Sequence, residues 1–87
     1  MFPTGNMAAR TPITAPVELG QLIRRERTAQ GILQEDLALA AGTGRRFIIE
    51  LERGKPTVRL GEVLSVLQTL GLGIHVERAS ATHNAGG

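Results

Sequence analysis

The sequence predicts an all-α fold. Apolar residues recur at three- and four-residue spacing in four stretches, and a glycine stands just past each of them (Gly31, Gly42, Gly54, Gly71). Only one short segment alternates with the period of a strand. The chain has 87 residues, 41% of them hydrophobic and 21% charged, and it contains no cysteine. At this length one domain is the limit, and roughly 60–65% of the unfolded surface is buried on folding. Without thiols, a small helical core completed by a second subunit is the remaining route to stability.

Residues 1–13 carry Pro3, Gly5, Asn6 and Pro12 and no apolar stripe, which suits a flexible N-terminal arm; residues 79–87 suit a flexible C-terminal tail. Residues 14–78 form the domain. Its first helix is expected over Ala15–Gln30, with Thr14 as cap and Pro16 in the first turn. Leu19, Leu22, Ile23 and Glu26 trace its inner stripe, and Arg24 and Arg25 turn to water. The second helix, Gln34–Ala41, points Leu37, Ala38 and Ala41 inward. The third, Arg45–Arg53, points Ile48 and Leu51 inward. Lys55–Pro56–Thr57 is a linker, because proline lacks a donor and disfavours helix in the residue before it. The fourth, Arg59–Leu70, repeats Leu60, Val63, Leu64, Leu67 and Leu70. Gly73–Arg78 alternates Ile74 and Val76 against His75 and Glu77 and reads as a short strand. A lone strand needs a partner for its backbone groups, and the same strand of a second subunit, about a two-fold axis, supplies one through Ile74 and Val76. The other reading of this segment is a frayed tail.

Several functions are excluded. Two aromatics, Phe2 and Phe47, make no stacking platform for single strands. His75 and His83 suggest no metal pair, Ser65 and Ser80 have no base beside them, and Glu35 and Asp36 point to different faces. No enzyme, metal or cofactor is expected. No apolar run nears the roughly 20 residues of a membrane span, and no apolar signal core opens the chain. A cytoplasmic, nucleoid-associated protein is expected.

The informative stretch is Gln34–Leu51, QEDLALAAGTGRRFIIEL: two short helices about a tight turn at Gly42–Thr43–Gly44. Steeply crossed helices need a small residue where they approach, here Ala38. The turn needs a residue tolerant of positive φ, here Gly42. Two arginines open the third helix, where cations oppose the helix dipole. They are either a solvated face or a site for an anionic partner. From Gly44 to Arg59 there are five basic residues (Arg45, Arg46, Arg53, Lys55, Arg59) and two acidic ones (Glu50, Glu52), a local charge of +3 against +2 for the chain.

The spacing of Gln34, Ala38, Gly42, Ile48 and Leu51 resembles the helix-turn-helix of the Xre/Cro family of repressors, which implies a lambda-repressor-like helical domain. The run Leu19–Val76, and ELERGKPTVRL in particular, is similar to the HipB-like antitoxins that accompany HipA-type kinase toxins. The resemblance implies a homodimeric, sequence-specific repressor of double-stranded operator DNA, with a HipA-like toxin as partner and autoregulation of its operon. The alternatives are a stand-alone Xre-family regulator and a module that chiefly neutralises a toxin. In the family the second helix of the motif enters the major groove. Carried over, Arg45 and Arg46 face base edges, and Gln34 meets a phosphate. Thr43 and Gly44 offer backbone N–H groups, and Arg53, Lys55 and Arg59 suit backbone contacts. Arg27 and Glu52 match a structural ion pair. This chain departs from the family at Leu33 and Gly44, where polar caps are usual, and at Ile49, where a polar residue is commoner. Ile49 either meets a thymine methyl or is simply exposed. Phe47 packs at the domain edge rather than intercalating.

Overall fold

The computed structural model describes residues 10–79, all of whose regular structure is helical. The elements are α1 (Pro16–Ala29), α2 (Gln34–Ala41), α3 (Arg45–Glu52) and α4 (Leu60–Thr69). The expected tail at 79–87 lies outside the described residues but for Ala79, as does the arm before Arg10; residues 10–13 are irregular and exposed. α2 packs against α3 and α4, and α1 against α3. One core joins them: Ile23 of α1, Leu37, Ala38 and Ala41 of α2, Ile48 and Leu51 of α3, and Val63, Val66 and Leu67 of α4, closed by Leu70. Each large buried aliphatic side chain contributes roughly 1.5–3 kcal/mol by leaving water. Phe47 is half-buried and packs against this core.

Sequence expectation and structure differ in the faces of two helices. In α1 the buried stripe is Gly20, Ile23 and Arg27, while Leu19, Leu22 and Glu26 are half-buried. Gly20 sets that face: a Cβ there would stand 2.7 Å from the carbonyl oxygen of Glu52 and closer still to that of Leu51, so α1 lies directly on the C-terminal turn of α3. In α4 Leu60 is 67% exposed and Leu64 37%, whereas Val66, absent from the expected stripe, is fully buried. The apolar residues of α4 form two adjacent stripes, and packing on α2 selects Val63, Val66, Leu67 and Leu70.

The α1 cap also differs. Ala15 is the N-cap and makes no side-chain bond. Thr14, one residue earlier, donates from its N–H (2.6 Å) and its hydroxyl (3.0 Å) to Glu18 Oε1. These bonds hold the Glu18 carboxyl below the usual range, the Thr14 backbone donor first among the causes. Gly73–Arg78 forms no strand, since a ladder needs a neighbour and none of the described residues provides one; Ile74 and Val76 are exposed. Two polar bonds fix α4 instead. Ser65 Oγ donates to the Ala41 carbonyl at 2.7 Å, and Gln30 Nε2 to that of Leu70 at 2.9 Å.

Candidate nucleic-acid interface

The turn between α2 and α3 is built by Gly42 at φ 76°, a conformation that costs a side chain dearly and glycine little. The reversal is sealed by the Thr43 N–H, which donates to the Ala38 carbonyl at 2.9 Å. That bond removes the Thr43 amide from the donors expected to face a phosphate. Gly44, exposed, is the N-cap of α3. The far end of α3 is fixed by Gly54 at φ 88°, where a Cβ would fall 2.7 Å from Val17 Cα.

Between these ends α3 buries Ile48, Leu51 and Glu52 and leaves Arg45 and Arg46 exposed, with Ile49 and Glu50 half-buried and Arg53 exposed just past its end. The two arginines diverge. Arg45 lines a groove with Arg24 of α1, Leu33, Gln34 and Glu35 at the start of α2, and Ile49 and Arg53. Arg46 lines a second groove with Glu50, Lys55, Thr57, Arg59 and Glu62. α3 thus lies between two shallow, open grooves, each lined by more cations than carboxylates. Arg24 is exposed, as expected, and stands beside Arg45 at the first groove, while Glu50 stands beside Arg46 at the second; the sequence reading assigned neither a place there. The available signals were their spacings, three residues before Arg27 and four after Arg46, which place each pair on one helix face.

Charge placement sets α3 apart. α1, α2 and α4 each carry a carboxylate in the first turn (Glu18; Glu35 and Asp36; Glu62), which suits the positive end of a helix. α3 has none there and opens with Arg45 and Arg46.

At the first groove lies the Arg27–Glu52 pair. Arg27 Nε donates to Glu52 Oε2 at 2.6 Å and Nη2 to Oε1 at 3.0 Å, with side chains 10% and 4% exposed. Arg27 Nη1 also donates to the Ile32 carbonyl at 2.8 Å. Gln34 Nε2 donates to Glu52 Oε1 at 3.1 Å, so Gln34 is partly turned inward with one amide hydrogen left over. The cluster joins α1, α2 and α3 directly under the exposed face, and no buried side-chain polar atom among the described residues lacks a partner.

The helix-turn-helix family model matches residues 23–76, the whole of the region just described but for the first half of α1. The chain belongs to the helix-turn-helix family. An HTH-type transcriptional regulator, y4mF of Sinorhizobium fredii, is 50% identical to it over 64 residues, 74% of this chain and 84% of that protein. The restriction-modification controller protein C.AhdI of Aeromonas hydrophila is 37% identical, with a TM-score of 0.60 over 66% of this chain and 83% of that one. A chain of a HipA–HipB–O2–O3 complex is 22% identical, with a TM-score of 0.75 over 82% of this chain and 100% of that one. This helix-turn-helix protein is a transcriptional regulator. No helix among its described residues is long and apolar enough to cross a membrane.

Proposed function

We propose that this regulator is a homodimeric repressor whose α3 enters the major groove of double-stranded operator DNA. One observation carries the reading: among the helices of the described residues, α3 alone lacks a first-turn carboxylate and presents two arginines there, exposed and unneeded by the core. An arrangement that folding does not favour is stabilised by an anionic partner. Arg45 and Arg46 meet base edges. The Gly44 N–H, the spare amide hydrogen of Gln34, the Thr43 hydroxyl, Arg53, Lys55 and Arg59 meet the phosphate backbone. Ile49, on the same face, reaches the groove floor.

The second copy rests on the exposed leucines of α4, Leu60 and Leu64, and on strand pairing through Ile74 and Val76. Two copies place two recognition helices about 34 Å apart, one turn of the duplex. A HipA-type kinase toxin is the proposed protein partner, supported by ELERGKPTVRL and by the shared fold of HipB.

Fluorescence anisotropy on selected operator duplexes tests the DNA reading. Arg45→Ala and Arg46→Ala each weaken operator binding, by about 1–3 kcal/mol for one that reads a base with two bonds. Lys55→Ala weakens all sequences alike and lowers the salt slope by about 1. Unchanged affinity in both arginine variants rejects α3 as the recognition helix. Co-purification with a kinase encoded beside this gene tests the toxin pairing; its failure, with repression intact, leaves a stand-alone regulator.

A further inference from the structure

Glu50 is the carboxylate on α3 that the buried pair does not use. Its Oε2 lies 3.7 Å from Nη1 of Arg46, and its Oε1 accepts from Nζ of Lys55 at 3.2 Å. The Arg46 side chain is 86% exposed and that of Glu50 32%. Ion pairs so open contribute little to folding, and a carboxylate facing phosphates weakens DNA binding unless it meets a donor. Arg45, by contrast, has no carboxylate within ion-pair distance among the described residues.

In the major groove a G·C pair shows two acceptors, guanine N7 and O6, and beside them one amino donor, cytosine N4. A guanidinium next to a carboxylate is the complement of that edge in the same order. Building on the reading of α3 as the groove-facing helix, we infer that Arg46 and Glu50 together read one G·C base pair. Arg46 donates to guanine N7 and O6, and Glu50 accepts from cytosine N4. A carboxylate offers about four lone-pair sites, so Glu50 holds Arg46 while it accepts from the base. Lys55 exchanges Glu50 for a phosphate. An A·T pair in the same orientation sets the adenine amino group against Arg46 and thymine O4 against Glu50, so both partners reject it.

The test measures every single base-pair substitution of a selected operator against the wild-type chain, Arg46→Ala, Glu50→Ala and the double variant. Thermal melts of each protein accompany the binding data. With the wild-type chain, one G·C pair per half-site costs about 5- to 150-fold when replaced. Arg46→Ala and Glu50→Ala flatten the preference at that same pair, the double variant adds little to either, and the melting temperatures hold. Guanine opposite pyrimidin-2-one, which lacks the amino group, weakens binding of the wild-type chain and leaves Glu50→Ala unaffected. If Glu50→Ala flattens a different pair or none, the joint reading is overturned while α3 remains the recognition helix. If the wild-type chain shows no base preference anywhere, the repressor reading falls and this one with it.

Discussion

Arg27 and Glu52 concentrate the cost of a charge taken out of water at one point. Two parallel bonds between them, the bond to Ile32 and the one from Gln34 satisfy both groups. Removing one partner leaves the other charged, buried and alone, which costs about 3–5 kcal/mol. Arg27→Met is therefore expected to lower the urea midpoint sharply, with affinity retained wherever the variant is still folded. Glu18 lies at the other extreme, bonded by Thr14 at the surface. Its folded pKa is lowered, so its contribution is present above the pKa of the unfolded chain and fades as pH falls through the folded value. The stability difference between the wild-type chain and Glu18→Gln, followed by acid titration, should shrink in that direction and vanish below the folded pKa.

At the scale of the helix, Gly20 reverses an ordinary rule. Glycine to alanine inside a helix normally gains about 1 kcal/mol. Here the new methyl meets two backbone carbonyls of α3 that have no rotamer to change. Gly20→Ala is expected to destabilise by about 1–3 kcal/mol, as overpacking does, and to displace α3, so calorimetry and operator affinity should fall together. α1 and α4 together show what the sequence could and could not convey. Helix ends were legible, because glycine stops and the proline linker are local chemistry. Helix faces were less so. A repeat of three and four fits either of two neighbouring stripes, and the choice between Leu60 with Leu64 and Val63 with Val66 is made by α2, distant in sequence. Gly20 gave no periodic signal at all.

At the scale of the molecule, the four helices of the described residues, packed around one core, leave apolar surface uncovered at Leu60, Leu64, Ile74 and Val76. A second copy laid over it removes those side chains from water, roughly 25 cal/mol per Å². Leu60→Lys with Leu64→Lys is expected to shift sedimentation from dimer to monomer with the helical circular dichroism kept. Val76→Pro, which removes an amide donor, tests the strand pairing separately. The candidate site was legible in its residue types, since Arg45 and Arg46 stand out in any reading of charge. That they line opposite grooves was not, because the grooves are made by α1 and α2 on one side and by the α3–α4 linker on the other.

α3 also separates two jobs along a single rod. Ile48, Leu51 and Glu52 are buried and anchor it, while Arg45 and Arg46 are exposed and Ile49 and Glu50 lie outside the buried core. Such a rod can be re-addressed: a lineage could exchange the outward letters, acquire a new target in the genome, and keep the same melting behaviour throughout.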